Sequence, residues 1–379
     1  MKNFKKIIIL SLSSFLLASC VETQAIEKIG IINARGLDIT DEDLLETTLV
    51  TFQFTPDSTE MTKILSGKAK TVKGATENAG DAFLYKLAPG KLKLSVIGRD
   101  LAEKGILPLL DTSARDARIP DLMYLSVSDT TAKELLSIDE ENIATDIGQY
   151  LHGLIANRSN DHNIPRKTLQ DFLTTYYDVG QDNVLPIFEI EEDMPKLSKL
   201  ALFKGDQMIG ELTSDEATLI NLMERTVKEH HLEVTLPLAP FKDHLEEREK
   251  RPQETEVQMI FVIDKGHSKT KVLDEDQLVF QTDTTLRLRL LEQSAGIVLK
   301  KSQVGKLIEN EVKKYMEDHF DKLLAKLQKL ESDPFGYGRI YKSSQKGKNL
   351  TVEEWRESFP TIEVKYNVDV EFIQHGVID

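Results

Sequence analysis

The sequence predicts a multi-domain α+β ectodomain in which mixed and antiparallel sheets pack against helices. Segments with the two-residue apolar alternation of a strand occur in both halves of the chain, and helical patterns separate them. The longest helical pattern, residues 302–330, repeats apolar side chains at three and four positions. About 360 residues follow a candidate signal segment, which is more than one hydrophobic core usually serves.

The first 19 residues have the layout of a secretory signal peptide. Lys2, Lys5 and Lys6 precede an apolar run, residues 7–17, and this run is shorter than the roughly 20 residues that a membrane-spanning helix needs. The sequence Leu-Ala-Ser-Cys at 17–20 resembles a bacterial lipobox, so we expect cleavage before Cys20 and lipid, such as palmitate, on it. An ordinary secretory signal with a chance cysteine and a short buried helix are the alternatives.

The composition bounds the partners of the chain. Without the three signal lysines, 45 basic side chains stand against 63 acidic ones, a net charge of −18. Such a surface repels nucleic acid and anionic lipid headgroups, so the predicted lipid must hold the protein at the membrane. Because Cys20 is the only cysteine, the ectodomain forms no internal disulfide and no thiolate metal site.

The N-terminal region, predicted to span 20–195 as one or two subdomains, alternates strand and helix patterns. It opens with a hairpin of strands at 27–33 and 44–54. The helix at 100–110 is predicted to begin with Asp100 as its N-cap, and the helix at 165–177 to carry Pro165 at its first position. The other predicted elements are helices at 76–87, 130–136 and 142–156 and strands at 91–97, 122–127 and 184–191.

An acidic segment with a proline, Glu191–Ser198, marks the predicted boundary to a C-terminal α+β domain, 200–379. Two short strands flank the turn Lys-Gly-Asp-Gln at 204–207, and a capping-box pattern starts a helix near Ser214. The charged run 244–256 is predicted to be a solvated loop. Further strands are expected at 234–241, 256–264, 286–290 and 361–372, with Arg287 and Arg289 facing water or a partner.

The segment 302–330 predicts one amphipathic helix, which at 1.5 Å per residue is roughly 40 Å long. Ion pairs Glu309–Lys313 and Asp318–Lys322 are expected on its solvated side. Asp333, Pro334 and two nearby glycines, Gly336 and Gly338, end the pattern. The helix could join a coiled coil or pack across its own sheet, and the second arrangement is favoured.

No pattern of a catalytic or cofactor site is complete. The sequence Gly-His-Ser-Lys-Thr at 266–270 lacks the closing glycine of a nucleophile elbow, and the Gly-Lys pairs at 67 and 90 lack the spacing of a phosphate loop. His230 and His231, beside Glu229, are half of a metal site at most, because adjacent residues on a helix point about 100° apart and no third ligand is evident. We predict no enzymatic activity, cofactor or metal.

A group of charged residues, Asp100, Glu103, Arg115, Asp116 and Arg118, could form an acid–base array. Charges that bracket a helix more often make salt bridges, and that interpretation is favoured. We therefore keep Glu103, Arg115 and Asp116 as candidate structural or interaction residues, together with Asp333 and Gly336.

Several segments in order resemble the Ger(x)C family, the lipoprotein C subunits of nutrient germinant receptors in endospore-forming bacteria. After the lipobox come Ile-Ile-Asn-Ala-Arg-Gly-Leu-Asp at 31–38, Val-Ile-Gly-Arg-Asp-Leu-Ala-Glu-Lys-Gly at 96–105, Arg-Asp at 115–116 and Phe-Lys-Gly-Asp-Gln-Met-Ile-Gly at 203–210. Asp-Pro-Phe-Gly at 333–336, Trp355, Pro360 and a last strand ending at Gly376 complete the resemblance.

The resemblance implies a lipid-anchored ectodomain without known enzymatic activity that works beside two integral-membrane subunits, A and B. It would lie on the outer face of the cell membrane or of the spore inner membrane and be required for nutrient-triggered germination. A solute-binding lipoprotein that delivers a small molecule to a transporter is the alternative, but it needs a cleft between two similar lobes. An envelope hydrolase lacks a recognisable nucleophile or metal set.

Overall fold

The computed structural model describes residues 28–53, 62–139, 143, 145–162, 164–246, 254–299 and 302–373. The described strands are β1 Ile29–Ile39, β2 Leu45–Gln53, β3 Thr62–Ala69, β4 Lys86–Ala88, β5 Leu94–Gly98, β6 Tyr124–Ser128, β7 Val184–Glu191, β8 Met194–Lys204, β9 Gln207–Leu212, β10 His230–Pro237, β11 Glu256–Asp274, β12 Val279–Gln293 and β13 Glu363–Ile373. The described α-helices are α1 Val72–Asp81, α2 Arg99–Lys104, α3 Leu107–Ala114, α4 Ala132–Leu136, α5 Ile147–Asn160, α6 Leu169–Tyr177, α7 Ser214–Glu224, α8 Ser302–Leu330, α9 Tyr337–Lys342 and α10 Val352–Ser358.

Strands β1 to β9 form one mixed sheet in the order β3-β2-β1-β5-β6-β7-β8-β9, with the short β4 also paired to β1. The central strands β1, β5, β6 and β7 are parallel, and antiparallel hairpins extend the sheet on both sides. All five residues of β5 are buried, as expected for a parallel strand that is covered on both faces.

Two apolar clusters cover the two faces of this sheet. One face packs against α1, α2, α3 and α6, where Leu101, Leu110 and Phe172 are buried. The other packs against α4, α5 and α7, and its cluster continues into the second sheet. Alternate residues of one strand therefore enter different clusters: Leu185 lies on the first face and Phe188 on the second.

The second sheet has the order β10-β11-β12-β13, antiparallel except for the parallel pair β12 and β13. Helix α8 crosses this sheet and buries Val312, Met316 and Phe320 against it. The predicted helix 302–330 has the bounds of α8. It packs on its own sheet because a helix with one apolar face must bury that face against another element. The predicted α+β class with mixed and antiparallel sheets is confirmed.

Three predicted helices of the N-terminal region, 100–110, 165–177 and 76–87, differ from the structure. The predicted helix 100–110 is two helices, α2 and α3, because the chain turns at Gly105 with a φ of 119°. Asp100 lies in the first turn of α2, whose N-cap is Gly98. Helix α6 begins after Thr168, which forms a capping box with Asp171, so Pro165 precedes the helix. The predicted helix 76–87 corresponds to the end of α1 and to β4. The sequence does not predict β3, because the apolar and polar residue types of Thr62–Ala69 do not alternate.

Two predictions in the C-terminal region are corrected as well. His230 and His231 lie in strand β10, where adjacent side chains point to opposite faces. The ion pair Asp318–Lys322 forms at 2.6 Å, but Glu309 accepts a hydrogen bond from the backbone N–H of Phe372 instead of pairing with Lys313. Most of the charged run 244–256 lies outside the described residues.

The predicted domain boundary at Glu191–Ser198 covers the end of β7, the turn at 192–193 and the first part of β8. Strands β8 and β9 then extend the first sheet, and the second sheet starts at His230. The division of the chain into the regions 20–195 and 200–379 stays a prediction.

Candidate functional site

The charged residues predicted to cluster near α2 and α3 form separate ion pairs. Glu103 lies 3.5 Å from Arg99, and Arg115 lies 3.8 Å from Asp111. Asp116 accepts from Nε and Nη2 of Arg118, at 2.9 and 2.6 Å, and these bonds lower the pKa of its carboxyl to about 2. No acid–base array joins these described residues. Cys20 lies outside the described residues.

A cavity of about 750 Å³ opens between the first sheet and helices α1 and α3. Its wall is apolar on several sides, and Arg115, Asp116 and Arg118 contribute to its lining. Other side chains in its lining are Arg35, Leu49, Val72, Lys73, Glu77, Lys86, Leu87 and Leu92. A volume of this size lies in the range of small-molecule sites.

Arg35 is the buried cation of this cavity. It lies in β1, is 4% exposed, and donates from Nε and Nη2 to Ser95 Oγ at 3.3 Å and from Nη2 to Ser113 Oγ at 3.0 Å. Burial lowers the pKa of its guanidinium to about 10, so the group remains charged at neutral pH. Among the described residues no carboxylate pairs with it. The two serine hydroxyls accept some of the hydrogen bonds of the guanidinium but do not balance its charge.

A second polar site lies where the turn after α8 meets the first sheet. Its centre is Asp333, 1% exposed, whose carboxylate accepts from the backbone N–H of Gly336 at 2.8 Å and of Gly338 at 3.0 Å. The indole Nε1 of Trp355 donates to the same carboxylate at 3.1 Å. Asp333 therefore fixes the start of α9 and its packing on α10.

Asp182, which follows α6 and precedes β7, links this site to the first sheet. Its carboxylate accepts from the backbone N–H of Asp333 and of Gly205, both at 2.9 Å. Burial raises the pKa of Asp333 to about 7, and the negative charge of Asp182 adds to this increase. The surrounding backbone N–H donors lower the pKa and offset part of the increase. The two neighbouring carboxyls thus hold the turn after α8 on the sheet.

Two glycines allow the turn after α8 to approach the first sheet closely. We call this junction the Asp333 seam; it comprises Gly180, Asp182, Asp333, Gly336, Gly338 and Trp355. Gly338 lies so near Gly180 that an added Cβ would come within 2.5 Å of its Cα and within 2.5 Å of the Trp355 ring. Gly336 has a φ of 76°, which glycine adopts without the cost that a side chain adds. Of the residues predicted from the sequence, Asp333 and Gly336 are thus joined by a hydrogen bond.

Sequence reasoning missed Arg35, Asp182 and the role of Trp355 in binding Asp333. The sequence does carry a signal for Arg35, which is one arginine in a strand whose other residues are mostly apolar. A strand of that composition is usually covered on both faces, so its arginine is expected to be buried. Asp182 gave no such signal, because its partner lies 151 residues further along the chain.

Within the part of the chain that the structure describes, no group of three or more histidines or acidic residues could hold a metal ion. His230 is buried and hydrogen-bonded to Thr218 Oγ1 at 2.9 Å, and burial lowers the pKa of its ring to about 4. None of the described helices has the length and apolar character needed to cross a bilayer.

The comparisons with known proteins cover almost the whole chain. A family model described as "Spore germination protein N-terminal domain" matches residues 22–190. A second, described as "Spore germination B3/ GerAC like, C-terminal", matches residues 198–376. The chain belongs to the Ger(x)C family. The predicted resemblance is thereby confirmed.

Two relatives and one solved structure agree with this membership. Spore germination protein GerQC of Bacillus cereus is 22% identical over 378 residues, covering 98% of this chain and 99% of that protein. Putative spore germination protein YfkR of Bacillus subtilis (strain 168) is 20% identical over 329 residues, covering 83% and 79%. The crystal structure of the GerBC protein has a TM-score of 0.52 at 16% identity and covers 90% of this chain and 97% of that one, so this Ger(x)C chain has its fold.

Proposed function

We propose that this Ger(x)C protein is a subunit of a spore germinant receptor and works by assembly with integral-membrane A and B subunits. The observation that carries the proposal is the family match over 22–190 and 198–376, together with a germination relative that aligns over 98% of the chain.

The proposed anchor is lipid on Cys20, which would hold the protein on the outer face of the cell membrane or the spore inner membrane. One acyl chain binds a bilayer only marginally, whereas two or three chains give stable attachment. The acidic composition supports this route, since a net charge of −15 for the whole chain opposes adsorption to anionic lipid.

The alternative, a solute-binding lipoprotein that serves a transporter, needs a cleft between two similar lobes. The two sheets differ in strand number and connection, and the cavity of about 750 Å³ lies against the first sheet. This arrangement favours the receptor subunit.

Deletion of the gene tests the receptor role. Spores that lack this protein should lose their response to at least one nutrient and regain it when the gene is restored, while a trigger that bypasses nutrient receptors should still work. The measurement is the loss of optical density of a spore suspension after each nutrient, in a strain from which related C subunits have been removed. If spores without this protein responded to all nutrients as before, the proposed receptor role would be wrong.

A further inference from the structure

The Arg35 cavity has the chemistry of a binding site for an anion. We propose that it binds a small organic carboxylate with an apolar body, whose carboxyl pairs with the Arg35 guanidinium. This binding site does not depend on the proposed receptor role. If the cavity did not bind a carboxylate, the proposal of assembly with the membrane subunits would be unaffected.

The first argument is the unbalanced charge of Arg35. A guanidinium at 4% exposure loses most of its hydration, and its only described partners are the neutral hydroxyls of Ser95 and Ser113. Ser113 is itself held in place because its hydroxyl donates to the carbonyl of Leu109 at 2.9 Å, which leaves its oxygen free to accept from Arg35. The group is thus oriented but not neutralised.

The second argument is the free donor. The recorded hydrogen bonds of Arg35 use Nε and Nη2, so Nη1 has no partner among the described residues. Arg35 lines the cavity, and a guanidinium presents its N–H groups as a planar fork that fits a carboxylate. A carboxylate in the cavity would supply both the missing charge and the missing acceptor.

The third argument is the charge of the lining, which is opposite to that of the chain. Five cations, Arg35, Lys73, Lys86, Arg115 and Arg118, line the cavity against two carboxylates, Glu77 and Asp116, an excess of three positive charges. The carboxylate of Asp116 is bound by Arg118. In a protein of net charge −15, such a local excess attracts small anions.

The apolar walls select the body of the ligand. Leu49, Val72 and Leu92 line the same cavity and belong to the apolar cluster of that face, and Leu87 packs against it. An alkyl or aryl group would displace water from these side chains, which an inorganic anion does not do. The lining therefore favours an organic acid over free phosphate.

The test is calorimetric titration of the purified full chain with hexanoate, 1-hexanol and inorganic phosphate. Hexanoate should bind, and the alcohol and phosphate should bind at least tenfold more weakly. Arg35→Met should weaken hexanoate binding about tenfold to a hundredfold, because a charge-assisted hydrogen bond is lost. Arg35→Lys keeps the charge without the planar fork and should also weaken binding about tenfold. If Arg35→Met does not fold, the Arg35→Lys variant tests the proposal in its place.

Arg287→Met is the matched control, since Arg287 is an exposed arginine of the second sheet and should leave hexanoate binding unchanged. The proposal is overturned if hexanoate does not bind the wild-type chain, if the Arg35 variants bind it as tightly, or if 1-hexanol or phosphate binds equally well.

Discussion

The carboxyl of Asp333 is buried, and its pKa of about 7 is well above the usual 3.8. The folded chain therefore holds this proton more tightly than the unfolded chain does, so the contribution of Asp333 to stability is greatest below pH 3.8 and is lost as pH rises towards 7. We expect the stability advantage of the wild type over Asp333→Asn to shrink between pH 4 and pH 7. Urea unfolding at several pH values measures this difference.

Asp178→Asn is the control for this titration. A hydrogen bond from Lys342 lowers the pKa of Asp178, so its contribution is fully present above its ordinary pKa and falls only at lower pH. Its advantage over the asparagine variant should stay constant from pH 5 to pH 7. An advantage of Asp333 that stays constant or grows over this range would contradict the assigned burial.

The close contact of Gly338 with Gly180 and Trp355 gives a second prediction. Gly338→Ala places a methyl group against backbone and a buried ring, so we expect a loss of about 1–3 kcal/mol in the free energy of unfolding. Gly153→Ala is the matched variant: its Cβ would meet nothing within 4 Å in the interior of α5, and a gain of roughly 0.5–1 kcal/mol is expected. Urea midpoints at constant slope compare the two variants. Equal midpoints would show that the seam is looser than described.

Among the elements, helix α8 covers an edge of the second sheet as well as its face. Among the described strands, β13 pairs with β12 alone. The carboxylates of Glu309 and Glu317 accept from its backbone N–H groups at Phe372 and Val368, at 3.0 and 3.1 Å. These bonds block the edge on which another strand could pair.

Glu317→Ala should therefore lower the free energy of unfolding by about 1–2 kcal/mol, because the N–H of the buried Val368 loses its acceptor. Glu317→Gln keeps an acceptor oxygen and should lose less than half as much. Denaturant unfolding of both variants makes the comparison, and a glutamine variant as unstable as the alanine variant would rule out the hydrogen bond as the cause.

Elements that repeat a clear period could be predicted, and those that depend on distant partners could not. Helix α8 and strand β13 carry regular apolar patterns, because each packs one face on a continuous layer. Strand β3 forms at the edge of the first sheet and has no fully buried residue, so its apolar and polar residue types need not alternate. The seam shows the same limit, since Asp333 is prominent in the sequence while Asp182 and Trp355 become its neighbours only through folding.

At the scale of the whole molecule, one apolar cluster joins the two sheets. It includes Phe188 and Leu202 of the first sheet and Phe261 and Phe280 of the second. Asp182 and Asp333 add polar contacts at the same junction. The described part of the chain is thus a continuous body, and the proposed lipid on Cys20 would be its attachment to the membrane.

Replacement of Cys20 tests this account most directly, with Val21→Ala as a control that keeps the cysteine. We predict that Cys20→Ala abolishes fatty-acid labelling, releases the chain from the spore membrane fraction and gives spores the nutrient response of the deletion strain, whereas Val21→Ala behaves as wild type. Spores that respond fully while carrying an unacylated Cys20→Ala chain in their water-soluble fraction would contradict the account.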